Sequence, residues 1–273
     1  MGLHMKRWTV NPETWGAVVS ILGFVLLWYI LTAVLKLPRF DKLPNPVAVF
    51  SAWLSPHPQF GLSIFTRGYY LDILYSVGRV LAAFVLATVL GVGLGLLMGW
   101  SRVFFDYSFP LVETLRPIPP IAWIPLAVLV LPTAELGVIF ITFIAAFFAT
   151  VLNTLLGVRS IDEVYFRAAS CLGSRPRDVF WNVVVPGALP AIFTGLQVAM
   201  GIAWISLVAG EMIAGQRGLG YLIYEDYSNL QFVNIVIGMA TLGLLGYGSS
   251  ALVRMLGRRL MAWEGRRRGG AMA

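Results

Sequence analysis

RSIDEVYFRAASCLGSRPRDVFWNVVVP, residues 159–186, is a polar stretch set between long apolar segments, and it carries Arg159, Asp162, Glu163, Arg167, Arg175, Arg177 and Asp178. So many charges exclude it from the core of a bilayer. Its local signals describe two helices and a turn. Ser160 with Glu163 three residues on reads as a capping box, which predicts a helix reaching Leu172. Gly173 then supplies the left-handed residue that ends it. Ser174 is the expected cap of a second short helix, with Pro176 tolerated in its first turn and Pro186 as its stop. The small pair Ala168 and Ala169 lets another surface approach the first helix closely.

Outside this stretch the chain is a membrane protein in composition. It has 273 residues, 58% hydrophobic and only 12% charged, where soluble domains carry about 25%. Mean hydropathy is +0.80. The net charge of +7 is no sign of nucleic-acid binding, because the arginines cluster in short loops and at the tail, as the positive-inside rule requires. The single Cys171 excludes an internal disulfide and is expected to be a reduced thiol. The opening MGLHM reads as an appended start, with Met5 as a native one, and no cleavable signal peptide is expected.

Six spans are predicted, with both termini inside. The first runs from Trp15 to Leu37, long enough for a hydrocarbon layer of ~30 Å. A Pro-rich outer connection to Gly68 follows, containing a short amphipathic piece, Pro46 to Leu54, expected to lie flat on the surface. The second span lies in Asp72 to Trp100, where Gly91, Gly93, Gly95 and Gly99 satisfy the small-xxx-small pattern twice. Arg102 sits in a short inner turn. The third span, Phe104 to Leu131, is broken by Pro117, Pro119, Pro120 and Pro125. Backbone groups freed within a bilayer are tolerated only against protein or a water-filled cavity, so this span is expected to face a pathway or a subunit interface. The fourth runs from Leu136 to Val158, the fifth from Leu189 to Met212, and the sixth from Phe232 to Leu252. Arginines from Arg254 onward anchor the inside tail.

The spacing Ala168-Ala169-x-x-x-Gly173, nine residues, then Val183-x-Val185-Pro186, resembles the "EAA" loop of binding-protein-dependent ABC importer permeases of type I. Arg167 stands where that pattern has glutamate, and the two valines replace isoleucine and leucine. The resemblance covers about Leu71 to Arg259. It is closest to the nitrate/sulfonate/taurine/bicarbonate subfamily, through LRPIPPIAWIPL at 115–126, LNTLLGV at 152–158 and PGALPAIFTGLQVAMGIAWISLVAGEMIAGQRGLGYLI at 186–223. It implies an all-α fold of six transmembrane helices in the bacterial plasma membrane. It implies a domain order of 1–67 (first helix and linker), 68–256 (permease core with its coupling loop at 159–186) and 257–273 (basic tail). The expected partners are a second copy of the chain, two ATP-binding cassette ATPase subunits, an extracytoplasmic solute-binding protein and membrane lipid. ATP and Mg would be held by the ATPase, with no cofactor in this chain. The solute would be a small anion such as a sulfonate, nitrate or bicarbonate. Glu163, Arg167, Ala168, Ala169, Ser170, Cys171, Leu172, Gly173 and Ser174 would form the coupling helix that docks on the ATPase.

No motif supports an enzyme. No Gly-Lys-Ser/Thr is present, and His4 and His57 lie far from any usable metal partner. Pathway or gate candidates are Arg116, Pro119, Pro120, Trp123, Gln197, Trp204 and Glu211. A charge within a span usually faces a cavity or a partner. Arg116 either meets an anionic solute or snorkels to headgroups. Glu211 lines the path or pairs within the fold, and Trp123, Gln197 and Trp204 line the path or pack. Arg79 is expected to be an interfacial or structural charge, and Asn153 a bridge between helices. The rival class is an ATP-independent secondary carrier or channel, which calls for buried mid-span carboxylates or inverted repeats. A non-transporting scaffold would leave the broken span unexplained.

Overall fold

The computed structural model describes residues 12–35, 42–58 and 62–261. The expectations for His4, Met5 and Arg266 to Arg268 fall outside them. All regular elements among the described residues are helical. The chain divides into two units, residues 1–69 with 226–237, and residues 70–225 with 238–273.

In the first unit, α1 (Pro12–Tyr29) runs on into a π-helical turn, Ile30–Val34. The short α2 (Pro46–Trp53) starts at Asn45, whose side chain accepts the Ala48 N–H at 2.7 Å, with Pro46 at the first helical position, where its missing N–H costs nothing. Trp28 Nε1 donates to the Pro44 carbonyl at 3.1 Å and ties α1 to the approach to α2.

The second unit is built on α3 (Arg67–Trp100), α6 (Ala134–Arg159) and α9 (Val185–Ala214). Gly91, Gly95 and Gly99 of α3 face Thr150, Thr154 and Val158 of α6 so closely that a Cβ on them would lie 2.9, 2.6 and 2.5 Å from those side chains. Both sets advance by four residues, so the two helices run parallel. Gly93, between them in sequence, has nothing within 4 Å of where its Cβ would be, so it is no part of this seam. The other side of α6 receives α9. Gly157 sits against Ala188 and Ala191, Gly195 against Asn153, and Gly210 against Val138, an antiparallel match. Helix α11 (Phe232–Leu260) then packs antiparallel to α9, with Gly257 against Phe193 and Ser249 hydrogen-bonded to Trp204. Small residues at these crossings bring backbones close enough for dispersion to hold helices together where lipid offers no hydrophobic drive.

Among the described residues four helical runs are long and apolar enough to cross a membrane: α3, α6, Pro176–Ala214 and α11. The expected first span contains a shorter apolar helix, Val18–Val34. The expected third span is divided into α4 (Arg102–Leu115), a 3-10 turn at Pro120–Trp123 and α5 (Ile124–Val130). Ile124 and Ala127 bury against Ile141 of α6, with Ala214 packed alongside. The last span is longer than predicted, so Arg254, Arg258 and Arg259 are on α11 rather than in a tail. Residues 219–228 form α10 (Leu219–Ser228).

Candidate functional site

The polar stretch folds as α7 (Glu163–Cys171), a turn, and α8 (Pro176–Val179). Asp162, not Ser160, caps α7: it has extended backbone (φ −62°, ψ 133°) and its carboxylate accepts the Val164 N–H at 2.9 Å. Ser160 is helical (φ −83°, ψ −4°), ends α6, and gives its hydroxyl to the Gly157 carbonyl at 2.9 Å, so it is not available as an N-cap. Gly173 takes φ +71° and ends α7, with Ser174 N–H reaching back to the Ala169 carbonyl at 3.1 Å. Ser174 does not cap the next helix. That position belongs to Arg175, which makes no side-chain cap bond, and Pro176 follows as the first helical residue.

The second correction concerns Pro186. It does not stop α8. A π-helical turn, Phe180–Val184, carries α8 into α9 without a break, and the Val185 N–H reaches the Phe180 carbonyl five residues back. Proline lacks an N–H and its ring crowds the carbonyl four residues before it. Widening the preceding turn removes that conflict. The consequence is mechanical: one helical run, Pro176–Ala214, joins the polar stretch to the core.

One face of α7 packs inward. Ala169 is buried, and Phe166, Ile161 and Phe180 pack against the main core. The other face is open. Val164, Ala168 and Leu172 follow at four-residue intervals, with Leu172 84% exposed and Tyr165 beside them. Glu163, Arg167, Ser170, Cys171 and Ser174 are also exposed. Exposed apolar side chains rimmed by charge are the kind of surface found at sites of protein–protein contact.

At the opposite end of α3, α6 and α9 is a charge cluster that sequence reasoning did not assemble. Arg79 is 4% exposed, and Glu211 is wholly buried. Arg79 Nη1 donates to Glu211 Oε1 at 2.6 Å, and its other nitrogens donate to the two Glu135 oxygens at 2.5 and 2.6 Å. Ser76 donates to Glu211 at 2.9 Å and accepts the Leu219 N–H at 2.9 Å. The Gly220 N–H completes the carboxylate's partners at 2.9 Å. Arg79 also donates to the Arg217 carbonyl at 2.6 Å, and Asp72 accepts the Gly218 N–H at 3.1 Å. Gly218 has φ +112° and presses on the Glu211 carboxylate, so no side chain fits there. The cluster locks the 215–218 loop onto three helices.

The pathway candidates fall in three places. Arg116, exposed, pairs with Glu113 at 2.7 Å at the end of α4, and Pro119 and Pro120 follow in the interruption. The Nε1–H of Trp123, in the 3-10 turn that packs on α6 and α9, is buried without a hydrogen-bond partner among the described residues. Gln197 and Trp204, two turns apart on α9, bond instead to α11: Arg254 donates to Gln197 at 3.3 Å and Trp204 donates to Ser249 at 2.9 Å. Glu211 belongs to the charge cluster. Asn153 donates within α6, to the Ala149 carbonyl at 2.8 Å, and its side chain packs against Gly195 of α9. Among the described residues no group of three acidic, histidine or cysteine side chains is arranged to hold a metal.

An interrupted helix packed beside a bundle of long apolar helices, with an exposed helix–turn at one end, is an arrangement suited to a membrane permease. Residues 87–262 match the binding-protein-dependent transport system inner membrane component, and the chain belongs to that family, the permease component of ABC importers. It is 33% identical over 238 residues to the nitrate import permease protein NrtB of Synechocystis sp., covering 86% of this chain and 85% of that one. It is 32% identical over 268 residues to the taurine transport system permease protein TauC of Escherichia coli, covering 96% of each. Among solved structures, a chain of the MetNI methionine ABC transporter superposes with a TM-score of 0.57 at 17% identity, covering 70% of this chain and 93% of that chain, which shows a shared fold.

Proposed function

We propose that this permease carries a small anion, a sulfonate, nitrate or bicarbonate, across the bacterial plasma membrane by alternating access. A solute-binding protein outside delivers the anion, and two ATPase subunits inside bind ATP and Mg and supply the energy. The names of the relatives NrtB and TauC, which specify nitrate and taurine, support an oxyanion solute. The working unit is a pair of these chains.

The observation that carries this reading is the continuity of Pro176–Ala214 with the exposed helix–turn before it. ATPase closure would push the open face of α7, Val164, Ala168 and Leu172, with Glu163, Arg167, Ser170, Cys171, Gly173 and Ser174 around it. Ala169 anchors α7 from below. The push passes through the Gly173 turn into a rigid helix that ends at the Arg79–Glu211 cluster.

Helix direction supports the topology. α3 and α6 run parallel, so residues 101–133 between them must return across the bilayer. At ~1.5 Å per α-helical residue and ~2 Å per 3-10 residue, α4, the 3-10 turn and α5 together reach about 40 Å, enough for the ~30 Å layer. With α1 and the four long runs this makes six spans, both termini cytoplasmic, in a core of about 68–256 flanked by 1–67 and a basic 257–273 end. The interruption bearing Arg116, Pro119, Pro120 and Trp123 borders the path, where the unpartnered Trp123 N–H is available to an anion. Gln197, Trp204 and Glu211 hold the wall in register.

Co-expression of the chain with its neighbouring ATPase and binding-protein genes tests the proposal. The expected product is a complex of two permeases and two ATPases whose hydrolysis the loaded binding protein stimulates. A chain that moves an anion into liposomes without ATP would replace this reading with the secondary carrier.

A further inference from the structure

The parallel packing of α3 and α6 brings a second feature together, away from the docking face and the interruption. Gly99 lies against Val158, so the two helices end side by side at Trp100 and Arg159. Here α4 starts, capped by Ser101, whose hydroxyl accepts the Phe104 N–H at 3.3 Å. A cleft of about 310 Å³ opens between these ends, lined by Met98, Trp100, Arg102, Phe105, Asp106 and Arg159. The Arg159 guanidinium lies over the Phe105 ring, 3.9 Å from its centre, a cation–π contact. Among the described residues neither Arg102 nor Arg159 has an ion-pair or hydrogen-bond partner, although Asp106 lines the same cleft.

We propose that this cleft binds the phosphate of an anionic phospholipid headgroup. Two arginines with free N–H groups suit a phosphodiester, and a guanidinium already held against an aromatic ring loses little rotamer entropy on binding it. The position fits a lipid. The cleft lies where two apolar spans end, beside a tryptophan, at the level of the headgroups. From it, Val103, Tyr107 and Leu111 follow along α4 at four-residue intervals, 68%, 79% and 64% exposed, an apolar track for an acyl chain. Trp100 also meets Phe180 edge-on, with ring centres 5.6 Å apart, at the π-helical turn that links the docking helix to the core. A bound lipid therefore sits against the hinge of the coupling segment. This rests on the membrane-spanning reading of α3 and α6 and not on the identity of the solute or the ATPase.

Native mass spectrometry of the full chain in a non-ionic detergent, titrated with phosphatidylglycerol and with phosphatidylcholine, tests this without any partner subunit. The wild-type chain should retain phosphatidylglycerol preferentially. Each arginine near a headgroup is worth about fivefold in affinity, so the double variant R102Q/R159Q should lose at least that preference. Asp106→Asn should change it in the other direction, a gain that misfolding does not produce. An equal concentration of inorganic phosphate should leave the lipid in place. Retention of the preference in R102Q/R159Q, a loss in Asp106→Asn, or displacement of the lipid by free phosphate would each overturn the proposal.

Discussion

Arg79 of α3 and Glu211 of α9 are 132 residues apart in sequence and joined by a 2.6 Å hydrogen-bonded ion pair inside the helix bundle. The pair is neither bare nor isolated. Glu135 shares the guanidinium, and Ser76 and the Gly220 N–H complete the carboxylate. Charges taken out of water are tolerable only with their partners present, and removing one partner leaves the other uncompensated.

The three acidic and basic members should therefore differ in a graded way. Glu211→Ala leaves the buried Arg79 with only the half-exposed Glu135 as counter-charge, and should destabilise the chain by about 3–5 kcal/mol. Glu135 is 49% exposed, so solvent screens its share, and Glu135→Ala should cost up to about 1 kcal/mol. Thermal midpoints of the purified chain in detergent check this. Equal shifts for the two variants would mean that the cluster is more hydrated than its burial indicates.

The glycine seam makes a second contrast available within one helix. A Cβ at position 95 would lie 2.6 Å from the Thr154 Cβ and 2.7 Å from the Val151 carbonyl oxygen, whereas one at position 93 meets open space. Gly95→Ala should destabilise by about 1–3 kcal/mol through overpacking. Gly93→Ala should be neutral or stabilise by up to about 1 kcal/mol through helix propensity. The same melting assay decides. A neutral Gly95→Ala would show that α3 and α6 can separate at no cost.

The difference between those two glycines marks the limit of what the sequence could say. The small-xxx-small reading took Gly91, Gly93, Gly95 and Gly99 together, and only the packing of α3 on α6 separates Gly93 from the others. The interruption near Pro119 and the left-handed Gly173 were legible because proline and glycine act locally. The cap of α7 was not, since Ser160 and Asp162 are both good capping residues and the end of α6 claims the serine. Pro186 was misread because a π-turn is a tertiary accommodation that leaves no local signature. Arg79 and Glu211 each stood out as charges in apolar helices. Their pairing depends on α3 and α9 running antiparallel, which no local pattern encodes.

Trp123 offers a test of the pathway reading that separates function from folding. Among the described residues its indole N–H makes no hydrogen bond, so Trp123→Phe removes none of the bonds seen in the fold. The variant should melt as the parent does or slightly higher, because an unsatisfied buried donor is lost. If that N–H serves the anion, ATP-driven uptake into proteoliposomes should fall severalfold in the same variant. Unchanged uptake would remove Trp123 from the path and leave it a packing residue.

Leu172 and Gly173 carry the argument for the docking face. Leu172 is 84% exposed at the end of α7, and its neighbour holds φ +71°, a conformation that a β-branched residue strongly resists. Leu172→Asp places a charge in the apolar stripe without disturbing the core beneath it. It should insert and melt normally yet fail to co-purify with the ATPase. Gly173→Val distorts the turn itself, so it should lose the ATPase too, with a small fall in stability from backbone strain of about 1–3 kcal/mol. Two variants that lose assembly by different routes, one chemical and one geometric, point to one surface. If Leu172→Asp assembles normally while Gly173→Val does not, the turn matters but the stripe is not what the ATPase grips.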